Sequence, residues 1–198
     1  MFRTAYVVTA IAFSVSCNSA PTPTPAANTP VATSSEVRGV APKNAIVTLL
    51  SAGNPPAMPD QPAVMDQISK QFIPAMLIAR VGQPVEFRNS EDMPHNVSVI
   101  RRESGTEIIN VGTEPKQTYV HTFDRVGQFD VKCDIHEGME AQVIVARGPM
   151  TTIAADDGQF LFSNVAFGSY TASVTFSGQT VEYPLEVSGA RTTAKLIR

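Results

Sequence analysis

From Ala75 onward, apolar side chains recur at every second position. Val85 and Phe87 alternate with Glu86 and Arg88, and the same alternation runs through Val97/Val99, Tyr119/His121/Phe123, Phe129/Val131/Cys133 and Val143/Val145. A period of two places one set of side chains on a single face of an extended strand, so these stretches are expected to be half-buried strands. Turn signals such as Val81-Gly82-Gln83-Pro84 and Arg125-Val126-Gly127-Gln128 punctuate them. No stretch with a period of 3.6 and helix caps interrupts the pattern. Many short strands at this spacing read as an all-β chain built of β-sandwiches.

A second block begins near Gly148. Thr151–Ala155, Phe160–Phe162, Tyr170–Phe176 and Val181–Val187, joined by the Asp156-Asp157-Gly158 and Phe167-Gly168-Ser169 turns, read as hairpin-linked strands. Residues 148–198 are few for an independent core. The strand-like segment Glu36–Leu50 lies ahead of the first block and has no place in it. Residues 36–52 are therefore assigned to the second sandwich, with residues 60–147 inserted as the first.

The N-terminus has a different character. Arg3 precedes an apolar run, Ala5–Val15, well short of the about 20 residues a spanning helix needs. Residues 1–17 read as an export signal. The Ser16-Cys17-Asn18 that ends it resembles the lipobox at which bacterial lipoproteins are cleaved and acylated on cysteine. Ser14 stands where leucine is usual in that motif, and ordinary signal cleavage a few residues on is the alternative. Residues 18–35 carry four prolines among Ala, Thr and Ser, an extended semi-rigid linker. The expected location is the periplasm or cell surface, with a lipid anchor through Cys17 as the membrane attachment.

Charge and residue counts narrow the chemistry. With 15 basic and 18 acidic residues the net charge is −3, and no block of like charge offers a nucleic-acid or polybasic membrane surface. The chain has no H-E-x-x-H, G-x-S-x-G or Walker sequence, and no enzymatic role is expected. With three histidines and two cysteines, any metal site draws on very few residues.

Cys133, His136 and Met139 form C-x-x-H-x-x-M at a strand end, with His95 upstream in Met93-Pro94-His95-Asn96-Val97. Parity places Cys133 on the inward face with Phe129 and Val131, where a thiolate is costly unless a metal compensates it. One thiolate, two imidazoles and a thioether suit copper cycling between Cu(I) and Cu(II). Structural zinc more often recruits two or more cysteines or another closed N/S set, and thioether is a poor zinc ligand. A disulfide between Cys133 and Cys17 would only staple the tail to the core. His121 lies on the inward face away from these loops and is read as a partly buried, hydrogen-bonded histidine rather than a ligand.

Gln71-Phe72-Ile73-Pro74, Val81–Asn89, His95-Asn96-Val97, Phe123 with Gly127 and Phe129, and the Cys133–Met139 motif follow in an order that resembles the cupredoxins of plastocyanin and amicyanin type. The short gap between His136 and Met139 is more like amicyanin. The resemblance implies a Greek-key β-sandwich holding one type 1 copper. Cys133, His95 and His136 would be equatorial ligands and Met139 a weak axial one. It also implies that Asn96 locks the two ligand loops together and that His136, beside Met93, Pro94 and Ile135, is the electron exit. Glu137 departs from the family's small or apolar neighbour.

The function so implied is single-electron transfer between redox proteins such as a cytochrome or a copper oxidoreductase. Copper handling, or a structural module with no redox role, is the alternative. The second block, with Gly39-Val40, Ala45–Leu49, Asp156–Phe160, Asn164-Val165 and Gly168–Thr171, resembles the smaller carboxypeptidase regulatory-like, transthyretin-like sandwich, a spacer or docking module.

Overall fold

The computed structural model describes residues 33–53 and 57–197. The expected signal segment, Cys17 and most of the linker lie outside them. Among the described residues the regular structure is entirely strand. β1 (Ser34–Val40) and β2 (Ile46–Ser51) come first. β3 (Ala63–Ile68), β4 (Gln71–Ile73), β5 (Met76–Arg80), β6 (Pro84–Asn89), β7 (His95–Arg101), β8 (Thr106–Thr113), β9 (Thr118–Thr122), β10 (Gly127–Lys132) and β11 (Glu140–Ala146) follow. β12 (Thr151–Ile153), β13 (Gln159–Ala166), β14 (Gly168–Phe176), β15 (Gln179–Val187) and β16 (Arg191–Lys195) complete the set.

The middle strands form two sheets, β5-β11-β10-β7-β8 and β4-β3-β6-β9. Their inward residues make one core: Met65, Phe72, Val85, Phe87, Val97, Val99, Phe129, Val131, Val143 and Val145 among others. The period-two reading is thereby realised, because its apolar partners are the buried ones and Glu86 and Arg88 are not. The antiparallel register of β10 and β7 pairs Lys132 with Ser98 and Val131 with Val99. Continued two or three residues, it brings the start of β7 level with the loop that begins at Cys133. His95 and the C-x-x-H-x-x-M segment therefore meet at one end of the sandwich although far apart in sequence.

The remaining strands form the sheets β13-β1-β16 and β12-β2-β14-β15, around Val37, Val47, Leu49, Phe160, Phe162, Ala172, Val174 and Val187. β1 lies between β13 and β16, and β2 between β12 and β14. The chain thus enters these sheets, leaves to build the other sandwich, and returns.

One boundary and three strands differ from the sequence reading. Ser34 and Ser35, read as linker, already pair with Ala166 and Val165. The Ser35 hydroxyl also hydrogen-bonds that of Thr192 at 3.1 Å, so strand pairing overrides a polar composition. β3, β8 and β16 are strands that the alternation did not single out. In β8 only Ile109 and Thr113 are buried, which leaves little hydrophobic signal.

Ile144 is a further difference. It lies between the inward Val143 and Val145 and points out of its sheet, yet only 1% of it is exposed. Ile46 and Ala146 cluster with it, and Val126 and Ile153 pack alongside. The outer face of β11 is thus covered by residues of β2 and β12.

Candidate metal centre

Cys133 follows the last residue of β10, and its 6% exposure confirms the inward parity. Its Sγ lies 3.6 Å from His136 Nδ1 and 3.9 Å from His95 Nδ1. The three ligating atoms all fall within 4.8 Å of one another, and the imidazole rings are 4.6 Å apart. Metal–sulfur bonds of about 2.3 Å and metal–nitrogen bonds of about 2.0–2.1 Å let a sulfur and a nitrogen on one ion lie up to about 4.4 Å apart. The observed 3.6 and 3.9 Å fall within that reach, so the residues fit a shared metal. Among the described residues Cys133 has no disulfide partner.

The local chain explains the convergence. The Cys133 amide donates to the Met139 carbonyl at 3.0 Å and the Met139 amide to the His136 carbonyl at 3.4 Å, so the loop closes on itself. Gly138 has φ +74° with open space around it; the left-handed turn requires glycine there, not the lack of room. Met139 is 1% exposed at the loop's end and belongs to the same buried core as Cys133.

His95 is buried at 1% exposure. With Nδ1 toward the sulfur, its Nε2 faces Glu91 Oε2 at 3.5 Å, longer than a formed hydrogen bond, and has no other partner. The Glu91 carboxylate is itself held, because its Oε1 accepts from the Lys70 amide at 2.6 Å. This arrangement favours the tautomer that keeps Nδ1 free for a metal. Burial, then the His95 imidazole and the Lys70 ammonium, push the His136 pKa down despite Glu91, favouring the neutral form that a metal needs. His136 is less buried than His95 and adjoins the exposed Ile135, with Met93 exposed before His95.

Asn96 follows His95 and bridges the loops. Its Oδ1 accepts from the Asp134 amide at 2.6 Å, and its Nδ2 donates to Asp134 Oδ2 at 3.0 Å. Lys132 and Asn96, with Asn110, hold the Asp134 carboxyl below its ordinary range against a smaller desolvation effect. Glu91, Asp134 and Asn110 were not picked out by sequence. Their roles depend on strand register, which no local motif reports.

Residues 62–146 match the family model of copper binding proteins of the plastocyanin/azurin family. Solved structures similar to the chain include a reduced amicyanin mutant, 25% identical, covering 50% of this chain and 99% of that one at TM-score 0.40. An oxidized amicyanin mutant is 27% identical over 50% of this chain and 92% of that one, also at 0.40. A purple cupredoxin from Nitrosopumilus maritimus is 22% identical over 42% of this chain and 99% of that one, at 0.39. No curated protein matches the chain. Of the expected ligands, His95, Cys133 and His136 are brought together, and Met139 lies buried where the Cys133 loop closes.

His121 is outside the cluster. It is half-buried and packs edge-on against Phe123 with ring centroids 4.7 Å apart. Burial lowers its pKa, and Asp124 opposes the shift. The unfolded chain, with an ordinary histidine pKa of about 6.5, then binds more protons than the folded one. This contribution to stability is full above about pH 6.5 and is lost as pH falls from there through the lower folded value. His121→Gln is expected to flatten the fall in stability below about pH 6.5, read by denaturant titrations at several pH values. An unchanged slope would refute it.

Proposed function

We propose that this protein is a type 1 copper protein that carries single electrons between redox partners. The observation that carries the reading is the convergence of His95 Nδ1, Cys133 Sγ and His136 Nδ1 within 4.8 Å, inside a domain matched to a copper-binding family. Cys133, His95 and His136 would hold the ion, with Met139 as the distant thioether. When bound, copper supplies a one-electron couple, Cu(II)/Cu(I). Cys133, His95 and Met139 are buried, which would hold the ligand set nearly unchanged between oxidation states. His136, the most accessible of the three ligands, is the electron exit, and the exposed Ile135 and Met93 beside it form the docking surface. Electron-transfer encounters are small and transient, and the partner would be another redox protein, such as a cytochrome or a copper oxidoreductase.

Residues 1–17 support export and lipidation at Cys17, which would hold the protein at a membrane in the periplasm or at the cell surface. The strands of residues 34–52 and 148–197 are proposed to be a transthyretin-like spacer or docking module without enzymatic activity.

The test is a Cu(II) titration followed by visible absorption and electron paramagnetic resonance. An intense thiolate-to-copper band that saturates at one equivalent, bleaches with reductant and returns with oxidant is expected. Tight Cu(I) binding without that band would instead support copper handling, and no binding would leave a structural module.

A further inference from the structure

We infer that Asp134 is a positioning residue of the metal centre: it holds the cysteine-bearing loop to three strands and, together with Lys132, sets the charge beside Cys133. The inference rests on the copper reading above.

The Asp134 carboxylate collects three donors. Asn96 Nδ2, at the start of β7, donates to Oδ2 at 3.0 Å, and Asn110 Nδ2, on β8, donates to the same oxygen at 3.2 Å. Lys132 Nζ, at the end of β10, pairs with Oδ1 at 2.8 Å. The donors are themselves constrained. Asn96 Nδ2 also donates to Asn110 Oδ1 at 3.0 Å, and Asn110 Nδ2 to Glu107 Oε1 at 3.1 Å. Glu107 in turn accepts from the Ser98 hydroxyl at 2.7 Å. The residue directly after the sulfur ligand is therefore tied at its amide and its carboxylate, and a linked polar network of this kind fixes geometry more firmly than one contact.

The charge argument is separate from the positioning one. Asp134 and Lys132 flank Cys133, with side chains 39% and 44% exposed, so solvent weakens their field without abolishing it. A negative charge near the ion favours Cu(II), and a positive one favours Cu(I). Lys132 is the cation of this group, since its strand partner across the sheet is Glu140 and Glu107 joins the same network. Removing Lys132 leaves those carboxylates uncompensated, while removing the charge of Asp134 leaves the ammonium.

Reduction potentials of the copper-loaded full chain test this. Lys132→Met is expected to move the equilibrium toward Cu(II) by about threefold to tenfold, tenfold being about 59 mV for one electron. Asp134→Asn should move it the opposite way, and the double variant should return within about twofold of the parent. Single variants within twofold of the parent, or shifted in the same direction, would overturn the charge claim. The positioning claim is read on metal-free protein by hydrogen exchange. Asp134→Ala should lose at least about tenfold protection at the residue 134 amide, with the β10 amides unchanged; equal protection would overturn it. If the parent takes up no copper, the copper reading and the charge claim fall together, and the exchange result alone decides positioning.

Discussion

Cys133→Ser is expected to abolish the thiolate-to-copper band and to weaken copper binding by more than the about 10- to 100-fold that a change outside the ligand shell costs. The substitution keeps the side chain's shape and replaces a soft sulfur, able to ionise in the field of a cation, with a hydroxyl that stays neutral near pH 7. His95 and His136 remain, with Nδ1 atoms that approached the sulfur at 3.9 and 3.6 Å, so residual binding through imidazole is expected without intense colour. The fold should persist. Cys133 follows the end of β10 rather than lying within it, and the hydrogen bond its amide donates to the Met139 carbonyl does not involve the side chain. Absorption titrations paired with denaturation of the metal-free variant separate the two effects. A retained band would remove Cys133 from the centre, and a collapsed fold would mean that the thiol is chiefly a core filler.

The site was legible in sequence to the extent that its chemistry is local. Cys133, His136 and Met139 announce themselves by spacing, and the alternation Phe129/Val131/Cys133 gives the sulfur its inward direction. His95 required one non-local assumption, that its loop meets the cysteine loop, which family resemblance supplied and the register of Lys132 with Ser98 realises. The polar surroundings were not legible. Glu91 acquires its relation to His95 only because the Lys70 amide at the β3–β4 turn holds its other oxygen, and Asp134 meets Asn110 only because β8 lies beside β7. Ile144 shows the same limit for the fold. Alternation accounts for Val143 and Val145, whereas the continuous run Val143-Ile144-Val145-Ala146 signals a strand buried on both faces. What covers the second face, the cluster with Ile46, comes from the far side of a long insertion.

Phe129→Ala is expected to cost about 3–5 kcal/mol of stability while leaving the spectrum of the folded, copper-loaded fraction unchanged. Phe129 is 1% exposed, its ring lies 4.5 Å from that of Phe123, and the Arg101 guanidinium sits over it 4.9 Å from the centroid. Truncation removes apolar burial, opens a cavity that neighbours on two strands cannot fill, and leaves Arg101 without its aromatic face. Phe129 lies in β10 on the inward face that continues to Cys133, two inward positions away, with Val131 between them. The ligand loop, closed by its own hydrogen bonds and tied to Asn96, does not depend on the ring for its shape. Denaturant titrations of parent and variant, each followed by the copper band and by far-ultraviolet circular dichroism, check both halves. Loss of colour before loss of strand signal would show that the core sets the ligand geometry directly, whereas a destabilisation under about 1 kcal/mol would show that the β10 end of the sandwich repacks around the gap.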